Sequence, residues 1–512
     1  METILRERAG GILLHPTSLP GNYGIGTLGK AAFDFIDFLV RGKQQYWQIL
    51  PLGPTGYADS PYQCFSAHAG NPNLIDLDLL VKSGLLHAED LSDFPNLPKE
   101  RVDFEAVQDA RLPLLQKAYH SFNLYANTFE KLAYRNFQKD QSNWINDYAL
   151  FRAIKANREQ KPWYHWESPL KIRNSEAMMA MKELLHDEID FHKFMQFLFF
   201  RQWMAVKEYA HHQQVKIIGD IPLYVAFDSA DAWANPEIFE FDDNLNPIRV
   251  GGVPPDYFSE TGQLWGNPLF RWDVLKKTNF RWWIDRIRTS LFLYDIIRID
   301  HFRGFAAYWA IPYAEKTAVN GEWIPGPGKE FFNAMQAEFG VLPIIAEDLG
   351  VITPDVEELR DGFGLPGMKI LQFAFDASET NDYLPHNYIK NCIVYTGTHD
   401  NDTLTGWFKN ATPADQQYVL EYINTDEKEI HWSFIRLAWA SVANLAIVPM
   451  QDLMGLGTSA RMNLPGTTQN NWQWRAQADF FTPELVKKLA HLTSLYGRSK
   501  INKTDDKMNV II

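Results

Sequence analysis

Eight short apolar runs, most of them closed by polar residues, constrain this chain more than any other feature. They span residues 11–18, 46–53, 215–225, 295–302, 343–350, 368–374, 392–400 and 445–453. Most are continuous rather than alternating in hydrophobicity, the pattern of parallel strands covered on both faces. Most are followed by helical periodicity. Thr353-Pro354, Thr412-Pro413 and Thr482-Pro483 each set a capping hydroxyl before a proline, which marks a helix start. Eight strands alternating with helices predict an α/β fold, a (β/α)8 barrel.

The spacing of the runs is uneven. The second and third are separated by residues 54–214, far more than one helical crossover needs. Helical patterns at 104–126, 144–156 and 175–214 fill most of that gap. The reading is one barrel domain over 1–512, with a mostly helical inserted subdomain at 80–210. A second, loop-rich insertion at 226–294, dense in Gly, Pro and aromatics, would cover a cleft. The eighth unit falls near the end of the sequence, so no C-terminal β-sandwich is expected.

Charge and cysteine usage narrow the function classes. The formal net charge of -14 argues against nucleic acid or an anionic membrane as partner. Cys64 and Cys392 are far apart and make no disulfide framework, which points to a reducing, cytoplasmic setting. The first residues carry two acids and no apolar core of a signal peptide. Residues 434–450, the most apolar stretch, are broken by Arg436 and Asn444, too polar for a membrane span. Aromatics reach 14%, and many tryptophans sit beside Gly, Pro, Asn and Asp, where rings can stack on sugar faces.

In such barrels the active site lies at the C-terminal strand ends. The fourth run reads IIRIDHF at 296–302. Side chains alternate along a strand, so Arg298 and Asp300 share the inward face and Ile297 and Ile299 the other. An arginine beside Asp300 would lower its pKa and keep it ionised, as a nucleophile requires. Taken alone, the pair reads more readily as a structural ion pair. Glu347 ends the apolar fifth run, where burial would raise its pKa and keep it protonated, as a general acid requires. Alone it reads equally as a loop anchor. His399 and Asp400 end the seventh run and could bind the hydroxyls of one sugar ring, though a core histidine and a helix-capping aspartate look the same. Together, three acids at three strand ends supply the paired carboxylates of glycoside cleavage.

Around these residues the sequence carries long ordered motifs. They are LLHPTSLPG at 13–21, WQILPLGPTG at 47–56, DSPYQ at 59–63, GDIPLYV at 219–225 and GVPPDYFS at 252–259. GQLWGNP at 262–268, RIDHFRG at 298–304, AEDLG at 346–350, THDNDT at 398–403 and NLPG at 463–466 follow. In these the chain closely resembles glycoside hydrolase family 77, the 4-α-glucanotransferases called amylomaltases or disproportionating enzymes. The resemblance runs from about residue 11 to 475. It implies Asp300 as nucleophile, Glu347 as acid/base and Asp400 as transition-state stabiliser, with His399 and Arg298 beside it. It implies that Asp220 helps hold the sugar at the cleavage site and that Tyr62 stacks on it. Asp256, Tyr257 and Phe258 would cover the cleft. Gln263, Trp265 and Asn463 would contact the donor or acceptor chain, and Tyr57 a second, remote glucan site. Ala58 stands where the family usually has glycine, His68 where phenylalanine is common, and Thr27 where aspartate is common.

The implied reaction is a retaining two-step transfer of a 1,4-α-glucan segment to a sugar 4-hydroxyl. An α-glucan hydrolase of the amylase type shares the first step and is the enzyme alternative. A catalytically dead glucan-binding barrel would not need the intact acids, and no Gly-rich phosphate loop appears at the last strands. No metal or organic cofactor is implied, and His211-His212 reads as a solvated helix face. The expected partners are a glucan donor and a glucose or maltooligosaccharide acceptor, with the chain a monomer or small homo-oligomer.

Overall fold

The structure is a computed structural model that describes residues 4–500 apart from 6, 256–258 and 377–379. Asp256, Tyr257 and Phe258 therefore lie outside the described residues.

Each of the eight apolar runs overlaps a strand, six of which lie wholly within their runs. In chain order these are Ala9–Leu13, Tyr46–Gln48, Lys216–Pro222, Ile296–Asp300, Ile344–Ala346, Gly367–Ile370, Cys392–Tyr395 and Leu445–Pro449. They form one sheet in cyclic chain order, each pairing parallel to the next except the fifth with the sixth. The eighth strand pairs with the first, Ala9 opposite Leu445, so the sheet curls into a barrel. The architecture is a (β/α)8 barrel.

Period-two alternation sorts the strand side chains into two apolar layers. Ile218, Ile296, Ile345, Ile393, Tyr395 and Ile447 belong to the inner cluster. Ile217, Ile297, Ile299, Ile344, Val394 and Val448 join the larger cluster between strands and helices. The helix Lys30–Arg41 shows the matching pattern, burying Ala32, Phe35, Ile36 and Leu39 on one face. The helix Pro413–Ile423 begins at Thr412 and Pro483–Leu495 at Thr482, and each threonine caps a backbone N–H. Thr353 precedes Pro354–Gly362 without capping it, because its hydroxyl accepts from Arg303 Nη1 at 3.1 Å instead.

The long connection after the second strand is helical, with Phe104–Tyr125, Thr128–Asp140, Ile145–Asn157 and Ser175–Leu184. The following helix, His186–His212, packs on these as well as on Lys30–Arg41 and the third strand. A second sheet is an addition that the apolar runs gave no hint of. It is antiparallel, in the order Gln263–Pro268, Arg249–Val253, Ala307–Pro312, Glu322–Pro325. Two strands precede the fourth barrel strand and two follow it, so this sheet spans two connections above the barrel mouth.

The barrel closes between the fifth and sixth strands, where no strand ladder forms. Ala346 N–H donates to Pro366 O at 3.0 Å. Asp348 completes the seam. Its Oδ1 accepts from Met368 N–H at 2.7 Å and its Oδ2 from Arg360 Nη1 at 2.6 Å. Only glycine fits at 367, since a Cβ there would stand 2.2 Å from Asp348 Oδ2. Gly367→Ala should displace this buried carboxylate and cost roughly 2–3 kcal/mol, as for a lost hydrogen bond to a charged group. The readout is a lowered thermal midpoint, and an unchanged midpoint would show that the seam does not depend on Asp348.

Candidate active site

The mouth of the barrel gathers the sequence-selected acids. Asp220 on the third strand lies opposite Arg298 on the fourth. Both are buried, at 0% and 3% exposure. Arg298 Nη1 donates to Asp220 Oδ2 at 2.6 Å and to Asp300 Oδ1 at 3.1 Å. Tyr62 OH donates to the same Asp220 Oδ2 at 2.8 Å. Asp220 is thus turned toward Arg298 and Tyr62 and stands behind them as seen from the cleft. Asp300 stays 29% exposed at its side chain, facing the open side.

Glu347 follows the fifth strand directly. The register pairs Ile299 with Ala346, so Asp300 and Glu347 occupy the next positions on neighbouring strands. Glu347 N–H donates to Ile299 O at 3.1 Å. Its carboxylate is held from both sides, Oε2 by His301 N–H at 2.6 Å and Oε1 by Leu349 N–H at 3.0 Å. His301 itself adopts a left-handed backbone, φ 56°, as the chain turns out of the fourth strand.

Asp400 is presented by a tight turn. Asn401 Oδ1 accepts from Thr398 N–H at 2.8 Å and from its hydroxyl at 2.9 Å. Asn463 Nδ2 donates to Asp400 Oδ1 at 2.6 Å, and His399 Nε2 lies 3.3 Å from Oδ2. Arg461 clips the segment down, donating to the backbone oxygens of Asp400 and Asn463 at 2.6 and 2.7 Å. Asp402, two residues on, has structural work. It accepts from Thr403 N–H and the Thr458 hydroxyl at 2.7 and 2.9 Å. The two aspartates of one motif are thereby separated into a cleft residue and a loop anchor.

The three acids sit in different electrostatic environments. Burial raises the Glu347 carboxyl to about 8, Asp300's charge adds to the rise, and Arg298 and the two N–H donors oppose it. Burial likewise raises Asp300 to about 6, with Arg298 opposing and Asp220 and Asp400 adding to the rise. The expectation that Arg298 would depress Asp300 below its ordinary value is corrected here. The guanidinium is shared with Asp220, so its pull on Asp300 is offset by a second carboxylate. Burial also pushes Asp400 upward, but His399, Asn463 and Arg298 overcome it and hold it at about 2. Tyr62 is raised far above its usual value by burial and Asp220, and so remains a hydroxyl donor.

The other sequence-selected residues divide. The Tyr62 ring stacks on His399 at 5.2 Å and 17°. Gln263 Oε1 accepts from Trp265 Nε1 at 3.1 Å, and Trp265 meets His301 edge-on at 4.8 Å. Tyr57 is apart, 73% exposed, with no hydrogen bond or ring contact to the acids among the described residues. Ala58 has φ 54°, the left-handed conformation that explains a glycine at this position in the family. His68 is buried, lies parallel to Trp144 at 6.0 Å and is held neutral by burial, so it packs like the ring it replaces. Thr27 donates to Asp76 Oδ2 at 2.6 Å, where an aspartate would set two carboxylates together.

Sequence reasoning gave no role to His15, Arg461 or Trp472. His15 is buried with an unpartnered Nδ1 in a cavity shared with His399 and Arg461. Its place in the 13–21 motif was a usable signal. Arg461 and Trp472 act through loop geometry, which no local pattern encodes.

The raised Glu347 value has a consequence for stability. Folded Glu347 keeps a proton between its unfolded value of 4.5 and about 8, a proton the unfolded chain has lost. Its contribution to stability therefore falls as pH rises through that window. Glu347→Gln is neutral throughout, so its thermal midpoint should exceed the parent's by a margin that widens across the window. A margin constant with pH would contradict the raised value.

Known proteins share this architecture over its whole length. Residues 14–480 match the glycoside hydrolase family 77 profile described as 4-alpha-glucanotransferase. The chain is 51% identical over 506 residues to a 4-alpha-glucanotransferase of Synechocystis sp., covering 98% of this chain and 100% of that one. It is 49% identical over 490 residues to a 4-alpha-glucanotransferase of Clostridium butyricum, covering 95% and 100%. An amylomaltase from Streptococcus agalactiae, solved in complex with acarbose, superposes with a TM-score of 0.94 at 41% identity, covering 96% and 100%. With the barrel, the acids at its mouth and these matches together, the chain belongs to glycoside hydrolase family 77, the 4-α-glucanotransferases.

Proposed function

We infer that this protein is a 4-α-glucanotransferase that works by retaining double displacement, with Asp300 as nucleophile, Glu347 as acid/base and Asp400 as stabiliser. The observation that carries the mechanism is the register of the fourth and fifth strands, which sets Asp300 beside Glu347. Neighbouring strands lie about 4.8 Å apart. Retention requires two carboxyl groups about 5–5.5 Å apart. The environment of Glu347 fits an acid, because burial and the neighbouring Asp300 charge both raise it and favour its protonated form.

In the first step Asp300 attacks the anomeric carbon and Glu347 gives its proton to the leaving oxygen. The covalent ester neutralises Asp300. One of the causes raising Glu347 is Asp300's charge, so ester formation lowers the Glu347 pKa. The same carboxyl is then a base for the acceptor's 4-hydroxyl. Asp400, ionised and rigidly held, stabilises positive charge on the sugar ring, with His399 beside it. Tyr62 and Arg298 line the donor side, with Asp220 fixing both. Gln263, Trp265 and Asn463 contact the glucan chain, and Asp256, Tyr257 and Phe258 close over it. Tyr57, exposed and remote from the acids, serves a second glucan site.

A bound acarbose in the S. agalactiae amylomaltase supports an α-glucan-like ligand in this cleft. Transfer is favoured over amylase-type hydrolysis by family membership, since both reactions share the ester step. Among the described residues no helix is long and apolar enough to cross a membrane. The acidic charge and the two free, widely separated cysteines support a cytoplasmic enzyme. Maltotriose separates the two reactions. Transfer gives glucose and longer chains with no gain in reducing ends. A steady rise in reducing ends would establish hydrolysis instead.

A further inference from the structure

Trp472 lies outside the sequence motifs and touches none of the three acids, yet its ring meets two side chains of the site. Its centroid is 5.7 Å from that of Tyr62 and 5.9 Å from that of His399. With Tyr62 and His399 stacked at 5.2 Å, the three rings close a triangle. They come from three separate loops, after the second, seventh and eighth barrel strands. Trp472 is 7% exposed and takes φ 65°, a left-handed backbone that a bulky residue rarely adopts.

The surrounding loop holds it in that conformation. Trp472 N–H donates to Met462 O at 2.7 Å, one residue before the Asn463 that grips Asp400. Asn471 Oδ1 accepts from Leu464 N–H at 2.9 Å, and its Nδ2 donates to Thr467 O at 3.0 Å. Tyr62 reaches Asp220 through its hydroxyl, and His399 reaches Asp400 through Nε2. The ring plane of each sets whether those atoms meet. Trp472 packs against both rings at once, tilted 44° to Tyr62 and 39° to His399.

We propose that Trp472 is a positioning residue for glucan transfer, a wedge that fixes the Tyr62 and His399 rings and through them Asp220 and Asp400. This rests on the transfer mechanism proposed above. It predicts a defect in the chemical step rather than in chain binding. Small misplacements of reacting groups are costly, so Trp472→Leu should lower kcat on maltotriose about 10- to 100-fold. KM should change by no more than about threefold, since substrate binding is spread along the cleft. Trp472→Phe, which keeps a flat ring, should restore most of kcat. In Tyr62→Leu/Trp472→Leu the combined loss should be smaller than the product of the two single losses, because part of the Trp472 effect runs through Tyr62 and the rest through His399.

Each variant is compared at unchanged circular dichroism, and Trp472→Met, closer in volume, replaces the leucine variant if that one fails to fold. Unchanged kcat in the leucine or methionine variant would overturn the proposal. So would losses that multiply in the double variant, or a phenylalanine variant no better than leucine. Absence of transfer by the parent would instead refute the transfer mechanism itself.

Discussion

One buried guanidinium organises the mouth of this barrel. Arg298 points into the interior and must be paired there, since an isolated buried charge is prohibitively costly. It is paired twice, with Asp220 across the ladder and with Asp300 two residues along its own strand. One cation between two carboxylates leaves net negative charge in a low-dielectric pocket. That excess, added to burial, raises Asp300 and raises Glu347 further still. Burial is the larger cause of both rises, and the sharing limits how far Arg298 opposes it at Asp300. An arginine devoted to Asp300 alone would hold it lower and weaken its influence on Glu347.

Asp400 escapes the same rise because His399 and Asn463 contact its carboxylate directly, with Arg298 adding to their pull. These two and the backbone clip from Arg461 come from loops after the seventh and eighth strands. The result is three carboxylates in one cleft with three proton affinities. Rigid strands set the first two, and cross-braced loops set the third. The Glu347 environment costs stability at neutral pH, a recurring feature of sites built for chemistry.

The barrel was legible in the sequence because its strands are buried on both faces and read as unbroken apolar runs. Inward Arg298 and Asp300 were legible for the complementary reason, as polar positions with period two inside such a run. The antiparallel sheet above the mouth was not. Arg249–Val253 and Gln263–Pro268 are rich in glycine or polar residues and only partly buried. Half of their sheet comes from beyond the fourth barrel strand, so no local pattern announces it. Arg298's effect on Asp300 was misjudged for a similar reason, because its second partner lies 78 residues away on another strand. Trp472 was invisible because its importance lies in a backbone conformation and in rings from two distant loops.

The central claim is that Asp300 is esterified by the glucan while Glu347 moves the proton. The most direct measurement is peptide mapping by mass spectrometry of Glu347→Gln enzyme treated with an α-maltosyl fluoride, a donor whose fluoride leaves without protonation. The account predicts a glycosyl mass on the peptide containing Asp300, and no adduct when Asp300→Asn is added. An adduct on another residue, or one that persists without Asp300, would contradict it.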